Sequence, residues 1–517
     1  MTEEAILLAD STVEEAEKPV LYASWQDLGN LSDAAWDAMY QANDPPRYFR
    51  HGCVPVRIEE DDNGVPVIRE LTPDRLKYEM ARVATWKALR KNKDGSESEV
   101  DAKPPGDVIK DMLATPDPLL PVLNRIVEAP VCAPDGSIAT ESGYHPAGKV
   151  WHAPAPGVLI PGIPDEPTAD DVREAVRRLT DVLLDFPVVS DADMAHAIGL
   201  SLLPFARDMI VGPTPNHMIE SPCPGSGKNL LFDTVISPAA GGNIGVVAEA
   251  RNEEEMRKRI TAQLRNGRPA ILLDNITRCL DSGVLAAALT ATNWDDRVLG
   301  QSEMLTLPVR CVWATTANNP TMSTEIARRS IRIRLDPKVD RPWQRENFLH
   351  KDLRAYTTEH RGILIWACLV IIRAWVSAGR PRPPVRPLGS YESWSYVIGG
   401  VLHNANIGGF LENLEEFYEI ADSEGQVWRE FVTAWWNKHF DQDVGVAELF
   451  TLANETETLD LGKSGKGTER SQRISFGKQL AAKRDRVIGD YRIMSSGKER
   501  GAKRWRLAST RKTGECR

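Results

Sequence analysis

Short apolar runs of strand length, separated by longer helical or loop segments, dominate the central part of the chain. They span residues 209–211, 217–219, 269–273, 311–317 and 331–335. Continuous rather than alternating hydrophobicity is typical of strands that are covered on both faces of a sheet. The pattern therefore predicts an α/β fold in which these runs form a buried, parallel sheet.

Helical spacing of apolar residues predicts helices before, between and after these runs. The predicted helical segments are 73–89, 169–186, 196–207, 253–266, 284–290, 362–378, 394–402, 410–420, 444–453 and 469–485. Segment 362–378 is the most apolar, but it is shorter than the ~20 residues of a membrane span and contains Arg373. We therefore expect it to be a core helix.

Changes in pattern divide the chain into five predicted parts. They are a disordered acidic leader (1–21), an α/β N-terminal module (22–163), the sheet-containing core (164–339), a helical lid (340–440) and a C-terminal module (441–512). Within the N-terminal module we expect a β-hairpin at 54–68 and a charged linker at 91–105. Its basic side chains are either DNA contacts or plain surface charge: Arg47, Arg50, His51 and Arg57.

A glycine-rich turn follows the run at 217–219 and precedes a helical start at Leu230. Its sequence from 221 to 229 is Ser-Pro-Cys-Pro-Gly-Ser-Gly-Lys-Asn. A strand, a glycine-rich turn and a helix in this order form a P-loop, whose backbone N–H groups and helix N-terminus bind phosphate. The predicted nucleotide-binding residues are Pro224, Gly225, Ser226, Gly227, Lys228, Asn229 and Leu230.

Two positions of this turn depart from the usual P-loop pattern. Pro222 replaces the first glycine, and Asn229 replaces the Ser or Thr whose hydroxyl holds Mg²⁺. Lys228 is expected to reach the β- and γ-phosphates of ATP. The side-chain carbonyl of Asn229 is also an oxygen ligand that Mg²⁺ accepts.

Polar residues end two of the buried runs, where the carboxyl edge of a parallel sheet faces its ligand. Asp274 ends one run and is the predicted Walker B acid and Mg²⁺ partner, and Asn275 follows it in place of the usual catalytic glutamate. Asn318 ends the next run and is the predicted sensor of the γ-phosphate. Substitutes for the missing base are Glu249 and the acids at 253–255.

Two adjacent arginines, Arg328 and Arg329, follow the predicted sensor. A planar, permanently charged guanidinium stabilises charge on a transferring phosphoryl group. We expect one of the two to act in trans, on the nucleotide of a neighbouring subunit.

Charge is divided unevenly along the chain. Residues 461–517 hold 17 Lys and Arg against 5 Asp and Glu, a net charge of +12, whereas the rest of the chain (46 against 68) carries −22. The helices predicted at 444–453 and 469–485, followed by a basic hairpin, predict a winged helix that binds DNA, with a protein-binding winged helix as the alternative. The predicted DNA-binding residues are Arg473, Lys478, Lys483, Arg484, Arg492, Lys498, Arg500, Lys503 and Arg504.

Cysteine usage and the first residues bear on the compartment. The seven cysteines are scattered without a C-x-x-C pair, and residues 1–18 are acidic rather than basic. We expect reduced thiols, no zinc site and a cytoplasmic location.

The motifs together resemble an AAA+ ATPase, and specifically the helicase-like ATPases of phages and integrative mobile elements. Those proteins are similar to superfamily 3 and MCM-type helicases and to the helicase half of phage primase–helicases. The resemblance covers residues 105–510. It rests on the glycine-rich turn, on the segments 271–275, 294–300, 317–319 and 327–329, and on further phrases at 388–394 and 398–402.

The resemblance implies a ring, usually a hexamer, with ATP between subunits and loops that grip DNA in the channel. It leaves Arg297 open as a DNA contact, an intersubunit arginine or a surface ion pair. It also leaves open which of Arg341, Arg345 and Arg354 reaches the γ-phosphate from the lid.

Three functions are compatible with these residues. The first is an ATP-dependent, ring-forming DNA helicase or translocase acting in replication of a phage or mobile element. The second is an ATP-binding switch with weak hydrolysis and no unwinding, serving as an origin binder, helicase loader or phage-defence component. The third is a DNA-binding scaffold with a vestigial nucleotide site.

Overall fold

The computed structural model describes residues 18–24, 27–62, 64–93, 95–242, 244–297, 304–421, 423–456, 468–499 and 502–510. Its centre is a sheet of five parallel strands in the order β11-β12-β15-β10-β16. The strands are β10 (Asn216–Ser221), β11 (Ile244–Ala248), β12 (Ala270–Ile276), β15 (Val312–Asn318) and β16 (Ser330–Arg334). The predicted parallel sheet is present, except that 207–209 is a short 3₁₀ turn and 210–211 belongs to no strand.

Both faces of this sheet are covered, which explains the continuous apolar runs. The helices of the core are α4 (Ala169–Asp181), α5 (Asp191–Ala206), α6 (Lys228–Ala240), α7 (Glu253–Arg265), α8 (Gly283–Thr290) and α9 (Thr324–Ala327). Leu272 and Ala314 face the cluster that contains residues of α4, α5 and α6. Leu273 and Trp313 face the opposite cluster with residues of α7, α8 and α9. Neighbouring residues of one strand thus enter different cores.

The N-terminal module is a mixed α/β unit with three small sheets, ordered β1-β5-β6, β2-β3-β4 and β7-β9-β8. Its strands are β1 (Val20–Tyr22), β2 (Tyr48–His51), β3 (Val54–Glu60), β4 (Pro66–Glu70), β5 (Thr85–Lys91), β6 (Glu97–Asp101), β7 (Arg125–Val127), β8 (Gly143–His145) and β9 (Val150–His152). Its helices are α1 (Leu28–Gln41), α2 (Pro73–Val83) and α3 (Gly106–Ala114). A buried ion pair between Arg125 and Asp208, 2.8 Å long, ties the module to the core.

Three predictions for this module were wrong in detail. The helix predicted at 73–89 ends at Val83, because Thr85 starts β5. The segment 91–105, predicted to be a linker, contains β6 paired antiparallel with β5. The leader predicted to end at residue 21 overlaps β1, which pairs with β5. Residues 1–17 lie outside the described part of the chain.

The region predicted to be a separate lid packs into the core. Its helices are α10 (Leu353–Glu359), α11 (Arg361–Ser377), α12 (Glu392–Asn404) and α13 (Leu414–Ala421). Residues of α11 and α12, including Ile365 and Val401, share one apolar cluster with α4, α5 and α6. The prediction that 362–378 is a core helix is confirmed by its burial. Among the described residues no single helix is long and apolar enough to cross a membrane. The helices α10 and α11, which meet at a 71° bend, reach that length and apolar composition only when taken together.

The C-terminal module has its own apolar core. It contains α14 (Ser423–His439), β17 (Val444–Gly445), α15 (Val446–Glu455), α16 (Glu469–Ala482), β18 (Val487–Ile488), β19 (Tyr491–Glu499) and β20 (Ala502–Ser509). Its antiparallel sheet has the order β17-β20-β19-β18. Trp435 on α14 belongs to this core, so a helix assigned to the lid by sequence belongs here by packing. On α16, Phe476 and Leu480 are buried in this core, whereas Ile474 is 55% exposed.

Two histidines, His196 and His217, are buried in the core and should make the stability of the fold sensitive to acid. Nδ1–H of His196 donates to the carbonyl of Arg332 at 2.7 Å, and Nε2 accepts the N–H of Leu411 at 3.1 Å. Burial lowers the pKa of His196 to about 4 and that of His217 to about 3. The folded protein therefore holds both imidazoles neutral, while the unfolded chain protonates them near pH 6.5.

The free energy of unfolding should fall as the pH drops from about 6.5 towards 4, because the unfolded chain alone takes up these protons. At about pH 5 the loss is about 2 kcal/mol per histidine. Thermal unfolding midpoints across this range measure it, and His196→Gln should show a shallower pH dependence than the parent. Identical pH dependences of parent and variant would contradict this account of His196.

Candidate functional site

The glycine-rich turn connects β10 to α6. The strand ends at Ser221 and the helix starts at Lys228. Gly225 and Gly227 have φ of 74° and 89°, a left-handed backbone that glycine adopts without a steric penalty. Gly227 is the residue that caps α6 at its N-terminus. The N-terminus of α6 therefore has no side-chain cap, and its peptide N–H groups and helix dipole favour an anion.

Lys228 points from the first turn of α6 towards the end of β15. Its Nζ donates to Oδ1 of Asn318 at 2.6 Å and lies 3.4 Å from Oγ of Ser226. The side chain is 8% exposed, and burial lowers the pKa of its ammonium group. Because β15 lies between β10 and β12, the tip of β15 meets the glycine-rich turn directly.

The carboxylate of Asp274 is the meeting point of three elements. Its Oδ1 accepts Nδ2–H of Asn229 at 2.8 Å and the hydroxyl of Thr316 at 2.8 Å. The same Thr316 oxygen accepts the N–H of Asn275 at 2.8 Å. Predicted residues more than forty positions apart in the sequence, Asn229 and Asp274, are thus in direct contact.

Thr316 is the residue that sequence reasoning missed. It is fully buried in β15, two residues before Asn318, and bonds both the acid and the backbone that follows it. Asn275 has φ of 51°, and the pairing of β12 with β15 is irregular between Leu273 and Ile276. The signal in the sequence was a polar residue inside an apolar run.

The acids predicted as substitute bases all form hydrogen bonds or ion pairs with residues other than Asp274. Glu249 accepts the hydroxyl of Thr277 and the N–H of Arg278 with its two carboxylate oxygens. Glu253 accepts the N–H of Val284 and the hydroxyl of Ser282 at the start of α8. Glu254 and Glu255 form ion pairs with Lys258 and Arg259 along α7. Asn275, which follows Asp274 in the strand, is exposed.

Arg328 and Arg329 lie at the other end of the sheet. Ser330 is paired with Asn216 at the start of β10, whereas the glycine-rich turn follows the end of that strand. Six strand residues at ~3.3 Å each separate the two ends by about 20 Å. Neither arginine reaches the P-loop of its own chain.

The two arginines differ in accessibility. The side chain of Arg328 is 55% exposed and pairs with Glu325, while that of Arg329 is 13% exposed and also bonds the carbonyl of Glu325. Arg328 is therefore the one that is available to a neighbouring molecule.

The three lid arginines do not meet at the P-loop. Arg354 pairs with Asp233 on α6 at 2.7 Å, and Arg341 lies 3.6 Å from Asp340. Arg345 stacks on the ring of Phe348. Within the described part of the chain, none of these three arginines contacts the glycine-rich turn, so these contacts do not indicate which one would reach the γ-phosphate.

A β-hairpin of β13 (Asn293–Arg297) and β14 (Met304–Pro308) projects before β15. Its base is fixed to α7, because Thr261 accepts Nε1–H of Trp294 and donates to Asp296. Arg297 is exposed at the last described residue of the first strand. The tip, 298–303, lies outside the described residues.

The basic residues predicted to bind DNA divide into paired and unpaired groups. Arg473, Arg484 and Arg504 form ion pairs with Glu469, Asp485 and Glu448, Arg492 bonds the carbonyl of Asp485, and Lys483 lies over the ring of Trp428. Lys478 and Lys503 are exposed and make no ion pair within the described chain. Arg500 and the side chain of Lys498 lie outside the described residues.

The N-terminal basic residues are engaged locally. Arg50 pairs with Asp117 and Arg57 with Glu79, Arg47 lies over the ring of Tyr48, and His51 bonds the carbonyl of Leu123. These contacts favour the surface-charge interpretation of the four.

Comparison with known proteins gives weak similarity. No protein-family model matches the chain, and no curated protein matches its sequence. The apo C-terminal region of NrS-1 aligns with 91% of this chain and 98% of its own length, at 8% identity and a TM-score of 0.39. The SCCmec type IV Cch active helicase aligns with 88% of this chain and 91% of its own length, at 11% identity and a TM-score of 0.35. JCV helicase aligns with 49% of this chain and 74% of its own length, at 14% identity and a TM-score of 0.19. Similarity at this level carries no argument about the activity of this chain.

Thr316→Val tests the contact network around Asp274. Valine keeps the shape but removes the hydroxyl, so Asp274 loses one partner and the N–H of Asn275 is left unsatisfied, at a cost of about 1–3 kcal/mol. We expect nucleotide turnover to fall about tenfold or more, by analogy with the loss of groups that orient metal ligands. The measurement is steady-state phosphate release at saturating nucleotide.

Thr316→Ser is the matched control, because it retains the hydroxyl, and it should stay within a fewfold of the parent. Full activity of Thr316→Val would show that the hydroxyl does not organise the site.

Proposed function

We propose that this protein is an ATP-dependent, ring-forming DNA helicase or translocase of the AAA+ class, acting in replication of a phage or mobile element. The observation that carries the proposal is the convergence of Lys228, Asn229, Asp274 and Asn318 at the carboxyl edge of one parallel sheet. A phosphate-binding turn, an acid and a polar strand tip at this edge are the parts required for phosphoryl transfer.

The residues present fit MgATP. The Nδ2 of Asn229 is bonded to Asp274, while its Oδ1 and the Oδ2 of Asp274 accept no hydrogen bond from the described residues. In a P-loop the Ser or Thr hydroxyl contacts both the acid and the metal. In this chain the two contacts would be made by different atoms of Asn229, with Nδ2 on Asp274 and Oδ1 on the metal. The Oδ1 of Asn229 and the Oδ2 of Asp274 would hold Mg²⁺, which would offset the charge of the phosphates.

Three side chains would act on the triphosphate in this scheme. Lys228 would leave its contact with Asn318 and place its ammonium group on the β- and γ-phosphates. The freed Asn318 amide would then be available to the γ-phosphate. Asn275 would orient the attacking water without accepting its proton, because an amide is not a base.

The position of Arg328 supports assembly into a ring in which this arginine acts on the nucleotide of a neighbouring subunit. It is exposed, and about 20 Å of sheet separates it from the P-loop of its own chain. A partner that presents this edge to the P-loop would supply the guanidinium to the transition state.

The DNA-binding role rests on two surfaces. We propose that α15, α16 and the β19–β20 hairpin form a winged helix, in which Lys478 and Lys503 contact phosphates. We propose that the hairpin of β13 and β14, with Arg297, is a second contact with DNA inside the ring.

A second candidate is an ATP-binding switch that assembles on DNA and hydrolyses ATP slowly. The observation that favours it is the absence of a free carboxylate beside Asp274 in the described residues, since Glu249 and Glu253 are both hydrogen-bonded elsewhere. Strand separation on a forked DNA substrate discriminates the two, because only the motor should unwind it.

The decisive experiment is ATP turnover with no DNA, with single-stranded DNA and with double-stranded DNA. We expect DNA to stimulate turnover and Lys228→Ala to abolish both turnover and nucleotide binding, because the ammonium group neutralises phosphate charge. Turnover and binding unchanged in Lys228→Ala would refute the nucleotide site.

Arg328→Ala should lose turnover while binding ATP normally, since its own P-loop is intact. Its activity should be partly restored by mixing with Lys228→Ala, because interfaces then form with one intact P-loop and one intact arginine. The matched Arg329→Ala is expected to affect folding stability more, as Arg329 is largely buried. Failure of the mixture to recover any turnover would argue against action in trans.

A further inference from the structure

An exposed tryptophan lies against the glycine-rich turn. Trp343 is 60% exposed, yet it lies close to Gly225. A Cβ added to Gly225 would lie 2.9 Å from Cε3 and 3.2 Å from Cβ of Trp343. Phe186 approaches the same turn at Gly227, where a Cβ would lie 3.3 Å from its Cε1. Two aromatic side chains from distant segments thus border the phosphate-binding turn.

The segments that hold these rings are fixed to each other and to the sheet. The carboxylate of Asp185 accepts the N–H of Leu349 at 2.7 Å, which joins the segment before β10 to the segment of Trp343. The N–H of Val189 donates to the carbonyl of Arg334 at the end of β16. Leu184 and Leu349 are 59% and 57% exposed. Each of the two segments that reach the glycine-rich turn therefore also carries an exposed leucine.

Burying the exposed face of an indole against a flat, apolar partner is favourable. The partner that the site itself supplies is the nucleoside, because a ribose links the phosphates bound at the turn to a flat, apolar base. Asp274 and Asn318 occupy the side of the turn where the terminal phosphate would lie, so the base extends in another direction.

We propose that Trp343 is the nucleobase-binding side chain of this site, stacking on the base of a bound nucleoside triphosphate. The proposal rests on the nucleotide-binding function above and assigns its base subsite. Stacking responds to the area of the ring rather than to the groups on its edge. Trp343 therefore favours purines over pyrimidines and contributes equally to the binding of ATP and GTP.

The test compares ligands that do and do not carry a base. Binding of MgATP, MgGTP and magnesium tripolyphosphate to the full chain is measured by isothermal titration calorimetry. Trp343→Ala should weaken MgATP and MgGTP by a similar factor, about 5- to 150-fold from the usual worth of base–aromatic stacking. Affinity for tripolyphosphate should not change, because it has no base.

Trp343→Phe serves as the second variant, since it keeps a flat ring of smaller area and should retain most of the affinity for MgATP. Phe440→Ala is the matched control: Phe440 is an equally exposed aromatic residue, 58%, in the C-terminal module. It should leave all three affinities unchanged. Thermal unfolding midpoints confirm that the variants are folded.

Two results would overturn the proposal. Equal loss of MgATP and tripolyphosphate in Trp343→Ala would mean that Trp343 only supports the turn. Tighter binding of tripolyphosphate would mean that Trp343 shields the turn. Failure of the proposed nucleotide site would be recognised separately. In that case Lys228→Ala would bind MgATP and tripolyphosphate as tightly as the parent does.

Discussion

The position of β15 between β10 and β12 is the constraint on which the candidate site depends. Parallel pairing brings the ends of these three strands to one edge, and β15 supplies both Thr316 and Asn318 there. Thr316 holds Asp274, and Asn318 holds Lys228. The two halves of the site are therefore connected through a single strand, and neither half is assembled by local sequence alone.

The same parallel arrangement separates the functions of the two sheet ends. Phosphate-binding groups collect where the strands end, and Arg328 lies where β16 begins. One chain thus carries the candidate nucleotide site on one edge and an exposed arginine on the other, and the proposed head-to-tail assembly would bring the two together. The helices α11 and α12 share the core beneath this sheet. The segment predicted to be a lid is therefore part of the core that supports the sheet.

Much of the core was predictable because burial on both faces leaves an unbroken apolar run with a polar end. Asp274 and Asn318 were predicted in this way, and the structure places both at the carboxyl edge of the sheet. Thr316 was not found, because a polar residue inside an apolar strand was its only signal, and its role depends on contacts with Asp274 and Asn275 on the neighbouring strand. The boundary of α2 and the identity of β6 were wrong because pairing with β5 overrides local spacing. Packing likewise placed α14 with the C-terminal core.

Binding of Mn²⁺, used as a paramagnetic substitute for Mg²⁺, tests the central claim most directly. Electron paramagnetic resonance titrations with and without ATP would be made for the parent, Asp274→Asn and Asn229→Ala. The account predicts a nucleotide-dependent Mn²⁺ site that weakens about tenfold or more in both variants, while metal-free ATP still binds. Equal Mn²⁺ affinity in all three proteins would show that Asn229 and Asp274 do not form the metal site.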